Sequence, residues 1–440
     1  MGWCGPSISG RFSRNLGRWR QCAGAYPVSL LNTPVDLCTR FANTRLHLGV
    51  CGSVAAYKAA DLLRAWLSMG IHVSVTLTRS ARQFVSPLLF ASLGAAPVYE
   101  DMFAQGQEVF AHLEPGQHAQ VMIVAPATAD ALRRLAQGAA DDMLAAQALA
   151  FEGPLVIAPS MNPRMWTHKA TQTNVQILEK HGAQIVLPGT GSTACGDNGQ
   201  GRLAPLHQIF LAALRSVSPQ DMAGKRVMVT VGPTREQWDG VRYWSNPSTG
   251  RMGMALAVCA WLRGARVTVV CGPGISLSLP CELERYDISH AKEMFTVAHD
   301  LWPHMDMGIF TAAVADFSPK PFGSNKFKKA EAPQGFSIDF VPNPDILKTL
   351  AEERKPSQKV LGFAAETADN MNDLLESARQ KLAAKHADIL AANAINAPNS
   401  GFATETNALA VVDVHGHSKI LSTASKADIA WDLCTWLLQL

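Results

Sequence analysis

Twice along this chain an apolar strand runs into a glycine turn, a helical period and a second apolar strand. That repeated grammar constrains the fold more than any other feature. Residues 45–51 (RLHLGVC) read as a buried strand, GSVAAYKAADLLRAWLSMG carries helical periodicity as far as Gly70, and residues 71–77 are the next strand. Residues 225–231, 250–263 and 265–271 repeat the pattern. Parallel neighbours need a crossover connection, so each set is a βαβ unit. Apolar runs at 120–125, 154–158 and 184–187 extend the first set; runs at 307–311, 360–364, 388–392 and 408–412 extend the second. Such alternation predicts an α/β protein whose sheets are mostly parallel and covered by helices.

A chain of 440 residues is too long for one ordinary core. Residues 206–215 read as a closing helix, and SVSPQDMAGK (216–225) as a linker. Two Rossmann-like domains are therefore expected, 45–217 and 218–440. Residues 1–44 carry Arg11, Arg14, Arg18, Arg20 and Arg40 against a single acid, Asp36. They show no periodic apolar face, and a disordered, dispensable extension is expected there rather than a transit segment.

Composition narrows the function. Net charge is +3, from 39 basic and 36 acidic residues, which gives no electrostatic case for a nucleic-acid partner. No run of eighteen apolar residues occurs, so no membrane span is expected. The nine cysteines form no CxxC pair, which argues against a zinc site and fits a reducing cytoplasm.

Polar residues gather where the first set of strands ends. Gly52-Ser53 follows the first strand, Thr78-Arg79-Ser80 the second, and Ala125-Pro126-Ala127-Thr128 the third. Open parallel sheets bind ligands at the carboxyl ends of their strands, and a helix N-terminus suits a phosphate. Each turn alone could be mere capping; three together indicate a nucleotide site. Three longer segments are more specific: Ala111-His112-Leu113-Glu114, then Pro159-Ser160-Met161-Asn162-Pro163, then Ala194-Cys195-Gly196-Asp197 opening a glycine-rich turn to Gly201-Arg202. Singly, His112 could be a structural group, Asn162 a turn residue and Cys195 a small core residue.

Over residues 45–205 these motifs resemble the flavin-dependent cysteine decarboxylase family, in that family's order, with Ser160 and Leu203 departing from the usual Ala and Met. The resemblance implies a flavodoxin-like fold that binds FMN through Gly52, Ser53, Val54, Ser80, Thr128 and Ala129. It implies His112 as base or orienting group near the substrate thiol, Asn162 as partner of the substrate carboxylate, and Cys195 as proton donor. An N-acylated cysteine cannot simply lose CO₂, because the carbanion is unstabilised. Oxidation at the carbon bearing sulfur gives a thioaldehyde, CO₂ then leaves as an enethiolate forms, and the enethiol is reduced at the end.

In the second half, Thr230-Val231-Gly232-Pro233-Thr234-Arg235-Glu236 is followed by Arg242-Tyr243-Trp244-Ser245-Asn246-Pro247-Ser248-Thr249-Gly250-Arg251-Met252-Gly253. A dinucleotide fingerprint is absent, and the second strand ends Val270-Cys271-Gly272-Pro273 without a ribose-binding acid, which disfavours an NAD enzyme. Thr311–Asp316, Lys326-Phe327-Lys328-Lys329, Asn343-Pro344-Asp345-Ile346, the run from Gly362 to Thr367, Lys381 with Lys385, and Gly401-Phe402 with Asn407-Ala408 follow in order. Residues 224–440 thereby resemble the phosphopantothenate–cysteine ligase family. The resemblance implies that Lys326, Lys381 and Lys385 contact the triphosphate of CTP, and that Asp316, Pro344, Asp345, Ile346 and Phe363 shape the cytidine pocket. Mg²⁺ would arrive with the nucleotide; its protein ligands stay unknown. The implied substrates are 4′-phosphopantothenate, L-cysteine and CTP, joined through an acyl-cytidylate that Asn246 holds while Lys326 neutralises charge. The ligated product, phosphopantothenoylcysteine, would then pass to the first domain and leave as 4′-phosphopantetheine. A homo-oligomer, a dodecamer, is expected on the same ground. A non-catalytic flavin-binding regulator would need neither the His112, Asn162 and Cys195 set nor a ligase domain, and a peptidyl-cysteine decarboxylase would lack the second half.

Overall fold

The computed structural model describes residues 31–103, 110–193, 195–328, 334–396 and 404–440. Residues 1–30, Ala194, Lys329, and Gly401 with Phe402 lie outside the described residues.

The first sheet comprises β1 (Arg45–Val50), β2 (His72–Leu77), β3 (Val98–Tyr99), β4 (Val121–Ala127), β5 (Leu155–Pro159) and β6 (Gln184–Ile185). All are parallel, in the order β3-β2-β1-β4-β5-β6. The order reverses between β1 and β4, which opens a crevice at their carboxyl ends. β7 (Gly189–Ser192) and β8 (Asn198–Arg202) form a separate antiparallel hairpin. β4 is buried at every position, as a strand with helices on both faces must be.

The second half repeats that order. Its sheet comprises β9 (Arg226–Val231), β12 (Arg266–Cys271), β13 (Glu284–Asp287), β14 (Met307–Phe310), β17 (Lys359–Glu366), β18 (Ile389–Ala394), β19 (Thr406–Asp413) and β20 (Ser418–Ser425), arranged β13-β12-β9-β14-β17-β18-β19-β20. β13 through β18 pair in parallel, whereas β19 and β20 close the edge antiparallel. β20 is exposed along most of its length around a buried Leu421, which fits an edge strand, and the sequence pattern did not reveal it. Two small hairpins, β10 (Arg235–Gln237) with β11 (Tyr243–Ser245) and β15 (Phe317–Pro319) with β16 (Phe340–Pro342), stand apart from the sheet.

The helix Leu206–Val217 is buried at six successive positions, Ile209 through Leu214. A surface helix shows one apolar stripe; one apolar all round is enclosed. It contacts the helix Lys58–Ser68 of the first half and the helix Arg251–Leu262 of the second. Phe210 stacks on Trp66 with ring centroids 6.4 Å apart. One continuous apolar cluster thus runs from Leu46 and Trp66 through Phe210 to Leu256 and Trp261. Each such aromatic or leucine side chain contributes roughly 1.5–3 kcal/mol on burial.

The expected disorder of residues 1–44 needs correction for residues 31–44. Val35, Cys38 and Phe41 are buried in that same cluster. Thr39 donates from N–H and hydroxyl to Asp428 at 2.8 and 3.0 Å, Arg40 pairs with Asp432, and Phe41 packs edge-on against Trp431 at 5.5 Å. Asn32 binds the backbone at Ser276 and Ser278. The segment is short and lacks periodicity, because what orders it is a surface built by residues nearly four hundred positions later.

Candidate active sites

At the first crevice the strand ends converge. A Cβ on Gly52 would meet the Cβ of Ser80 at 2.4 Å and its carbonyl carbon at 2.9 Å, so only glycine lets the β1 turn lie against the β2 turn. Ser53 caps the following turn by accepting from the Ala55 N–H, and its hydroxyl meets that of Ser160 at 3.1 Å. Thr128 caps the helix Ala129–Gln137 by accepting from the Ala131 N–H. Gly52, Ser53, Ser80, Thr128 and Ser160 therefore stand at the ends of β1, β2, β4 and β5. Small groups, hydroxyls and free N–H groups at a switch point fit the phosphate and ribityl chain of a flavin mononucleotide.

Next to this crevice, Asn162 caps the short helix Pro163–Thr167 through its side-chain oxygen. That fixes which way its amide points. The amide nitrogen donates to Cys195 Sγ at 3.1 Å and to Asp197 at 2.6 Å. Asp197 also pairs with Arg164 at 2.9 Å. The Cys195 thiol is exposed, and its pKa lies below the ordinary value, first because of the Thr193 hydroxyl at 3.1 Å, then the Asp197 N–H and the Asn162 amide. Hydrogen bonds to sulfur favour the thiolate; no nearby cation is needed. Asp197 is held below the usual carboxylate range by Asn162 first and Arg164 after it. The structure thus joins Asn162 and Cys195 across the β7–β8 hairpin. His112 sits beside Phe110, ring centroids 6.4 Å apart, and among the described residues no hydrogen bond connects it to Asn162 or Cys195.

The second crevice, where β9 meets β14, holds a cavity of about 490 Å³. Asn246, Asp316, Pro344, Asp345, Ile346, Phe363, Lys381 and Lys385 all line it. Gly250 takes a left-handed conformation as N-cap of the helix Arg251–Leu262, and a Cβ on Gly253 would strike the Thr311 hydroxyl at 2.2 Å. Both glycines let that helix start press into the sheet edge. Lys381 pairs with Glu366 and Lys385 with Asp345. Asn246 donates its amide to the carbonyls of Ala313 at 3.4 Å and Val314 at 3.1 Å, which ties the β11 turn to the loop after β14.

Lys326 is the exception among the expected residues: it is exposed and does not line the cavity. Its neighbour Phe327 donates its N–H to the buried Asp239 at 3.0 Å and packs with Trp238, Phe322 and Phe336, which anchors this stretch to the β10–β11 hairpin instead. Asp239 also accepts from Val241 and Arg242, and its pKa is held at about 2; burial opposes that shift, and the three N–H groups and the Arg242 charge outweigh it. The cavity wall also includes Arg251, Asn343, Asn393, Asn407 and Lys426. Arg251 belongs to the Ser-Thr-Gly-Arg-Met-Gly turn, a visible signal; Lys426 had none. Among the described residues no cluster of three metal-ligating side chains occurs, and no helix is long and apolar enough to cross a membrane.

Fold and first site together define a flavoprotein. Residues 38–218 match the Flavoprotein family, and residues 222–440 match the DNA/pantothenate metabolism flavoprotein C-terminal domain. The chain is 39% identical over 396 residues to the Coenzyme A biosynthesis bifunctional protein CoaBC of Bacillus subtilis, covering 89% of this chain and 96% of the relative. It is 39% identical over 372 residues to the protein of the same name from Escherichia coli K12, covering 84% and 90%. A crystal structure of the C-terminal domain of such a protein aligns with 50% of this chain and 97% of its own, at 31% identity and a TM-score of 0.42. The chain belongs to the family of bifunctional coenzyme A biosynthesis proteins.

Proposed function

We propose that the two crevices catalyse consecutive steps of coenzyme A synthesis: ligation of 4′-phosphopantothenate to L-cysteine in residues 218–440, then decarboxylation of the product in residues 45–217. The reading rests above all on one observation: Asn162, Cys195 and Asp197 are hydrogen-bonded together at one switch point, while the expected cytidine-pocket residues line one cavity at the other.

In the ligase cavity, CTP is the activating nucleotide. Its α-phosphate accepts attack by the phosphopantothenate carboxylate, and pyrophosphate leaves. Lys381 and Lys385 neutralise phosphate charge, exchanging part of their pairing with Glu366 and Asp345 for the ligand. Asn246 keeps the loop after β14 in place beneath the acyl group. The cysteine amine then displaces CMP. Magnesium would enter with the nucleotide and would supply further neutralisation of phosphate charge. Lys326 takes part only if its loop swings from the Trp238 cluster toward the cavity.

In the decarboxylase crevice, Gly52, Ser53, Val54, Ser80, Thr128 and Ala129 hold FMN. The bound cofactor supplies reversible two-electron transfer, the chemistry that decarboxylation of an acylated cysteine requires. His112 orients the substrate thiol, Asn162 holds the substrate carboxylate, and Cys195 delivers the last proton. A thiol with a depressed pKa releases its proton readily at neutral pH. Homo-oligomeric assembly and a cytoplasmic location complete the reading.

The test is direct. Purified protein should be yellow and release FMN on denaturation. It should form pyrophosphate from CTP only with phosphopantothenate present, and 4′-phosphopantetheine only when cysteine is added too. A colourless protein, or pyrophosphate release indifferent to phosphopantothenate, would overturn the assignment.

A further inference from the structure

Three polar side chains are fully enclosed in the first half. His47 on β1, Thr76 on β2 and Gln147 on the helix Met143–Leu149 are each buried completely. Parallel pairing sets His47 opposite Ser74, and Thr76 stands two residues further along the same face of β2. Gln147 is the one polar residue of its helix, MLAAQAL. That helix contacts both β2 and the helix Glu114–His118. Groups this polar persist in a core only when hydrogen-bonded.

Their hydrogen bonds run one way. Thr76 donates its hydroxyl to Gln147 Oε1 at 2.6 Å, so its own oxygen accepts from His47 Nε2 at 3.1 Å. Burial pushes the His47 pKa down to about 3, and the neutral ring carries a single N–H. The bare Nδ1 then accepts from the Ser74 hydroxyl at 2.8 Å. With Oε1 committed to Thr76, the Gln147 amide nitrogen faces the other way. It donates to the Ala111 carbonyl at 3.2 Å.

The Ala111 carbonyl needs this donor. Residues 110–113 wind into the helix Glu114–His118, and Leu113 and Glu114 return their N–H groups to the Phe110 carbonyl at 2.7 and 3.3 Å. The next carbonyl, that of Ala111, faces Pro115 four residues on, which has no N–H to give. Ala111 is buried, so an unpaired carbonyl there would cost free energy. A second anchor holds the same turn. Tyr99 donates its hydroxyl to Glu114 and packs in one small cluster with Ala111 and Met143. His112 lies between the two anchored points.

We infer that Gln147, oriented from behind by Thr76, His47 and Ser74, is a positioning residue for decarboxylation: by holding the Ala111 carbonyl it sets where the His112 imidazole meets the substrate thiol. The inference rests on the reading of the first crevice as the decarboxylase site. His112 has no hydrogen bond of its own to Asn162 or Cys195 among the described residues, so its place is fixed through its backbone. The chain behind Gln147 is fully satisfied, and such networks rigidify what they touch. A rigid turn keeps the imidazole in one place while the substrate arrives.

The experiment uses the whole protein with bound FMN and supplied phosphopantothenoylcysteine. Wild type, Gln147→Met, His112→Ala, the double variant and Thr76→Val are compared for kcat, KM and amide hydrogen exchange. Gln147→Met nearly keeps the side-chain volume and removes the donor. It should lower kcat about ten- to a hundredfold, as a misplaced catalytic group does, and move KM far less. In the His112→Ala background the same substitution should cost little more, because a residue that acts through another is not additive with it. Exchange should quicken in residues 110–118, and pyrophosphate release by the second half should be unchanged. Thr76→Val leaves the amide in place but unoriented, and should show the same losses in smaller degree. Full kcat in a folded Gln147→Met, or an equal loss with and without His112, would overturn the proposal. If Gln147→Met does not fold, Thr76→Val decides: full kcat with unchanged exchange in residues 110–118 would overturn it equally. Wild type that holds FMN yet releases no CO₂ from phosphopantothenoylcysteine would instead strike at the decarboxylase reading itself.

Discussion

The two crevices share a topology and differ in how they hold charge. At the first, a single exposed thiol is tuned by uncharged donors: the Thr193 hydroxyl, the Asp197 N–H and the Asn162 amide. At the second, cations stand already matched with acids, Lys381 with Glu366, Lys385 with Asp345 and Arg251 with Glu405. The first arrangement poises a proton. The second stores positive charge that an incoming phosphate can draw away from its partners. The strand order β3-β2-β1-β4-β5-β6 of the first half and its counterpart in the second therefore carry redox-type and nucleotidyl chemistry through what stands at the strand ends.

The comparison can be broken at several points, and the largest expected effect is at Asn246. Asn246→Asp places a carboxylate against the carbonyls of Ala313 and Val314 that now accept its amide. The loop after β14 should shift, and both pyrophosphate release and ligation should fall about 10²–10³-fold, as for loss of a positioned donor. Decarboxylation of supplied phosphopantothenoylcysteine should continue. Separate timing of pyrophosphate, acyl-cytidylate and ligated product checks this; normal ligation would remove Asn246 from the site.

A smaller effect is expected where the halves are tied together. Asp428→Ala removes the acceptor of the Thr39 N–H and hydroxyl and exposes the loss to a buried setting. It should cost about 1–3 kcal/mol of stability. A lower midpoint in denaturant at unchanged slope would show it, and deletion through residue 43 should lower it further. An unaltered midpoint would mean the segment merely rests on the surface.

The smallest effect sharpens the first site. Thr193→Val removes the leading cause of the depressed Cys195 pKa. Without that donor the pKa rises, less thiolate exists at any given pH below it, and alkylation of Cys195 at pH 7 should slow. The pH profile of alkylation should move to higher pH, and Asn162→Ala should move it less. A profile unmoved by Thr193→Val would show that the hydroxyl does not tune the thiol.

Much of this architecture was legible in the residues. The βαβ grammar placed β1, β2, β9 and β12 within a residue or two, and the order of motifs placed Asn162, Cys195 and most of the ligase cavity wall. What escaped depended on distant partners. Residues 31–44 carry no period of their own, yet Thr39, Arg40 and Phe41 are fixed by Asp428, Asp432 and Trp431. Lys426 looks like an ordinary surface lysine in sequence; only the meeting of two helix starts makes it a cavity residue. Lys326 lies in a motif, but the aromatic cluster around Trp238 holds its neighbour away from the cavity. Local patterns declare elements and turns, whereas which cation ends up inside a wall is decided by packing between elements far apart in the chain.

The central claim is that one chain carries two separable sites acting in sequence, and Cys195→Ser tests it most directly. Supplied with CTP, 4′-phosphopantothenate and cysteine, this variant should release pyrophosphate and CO₂ at rates near those of the wild type. It should accumulate the enethiol, two hydrogens short of 4′-phosphopantetheine, by mass spectrometry. A normal yield of 4′-phosphopantetheine, or loss of pyrophosphate release along with it, would contradict the account.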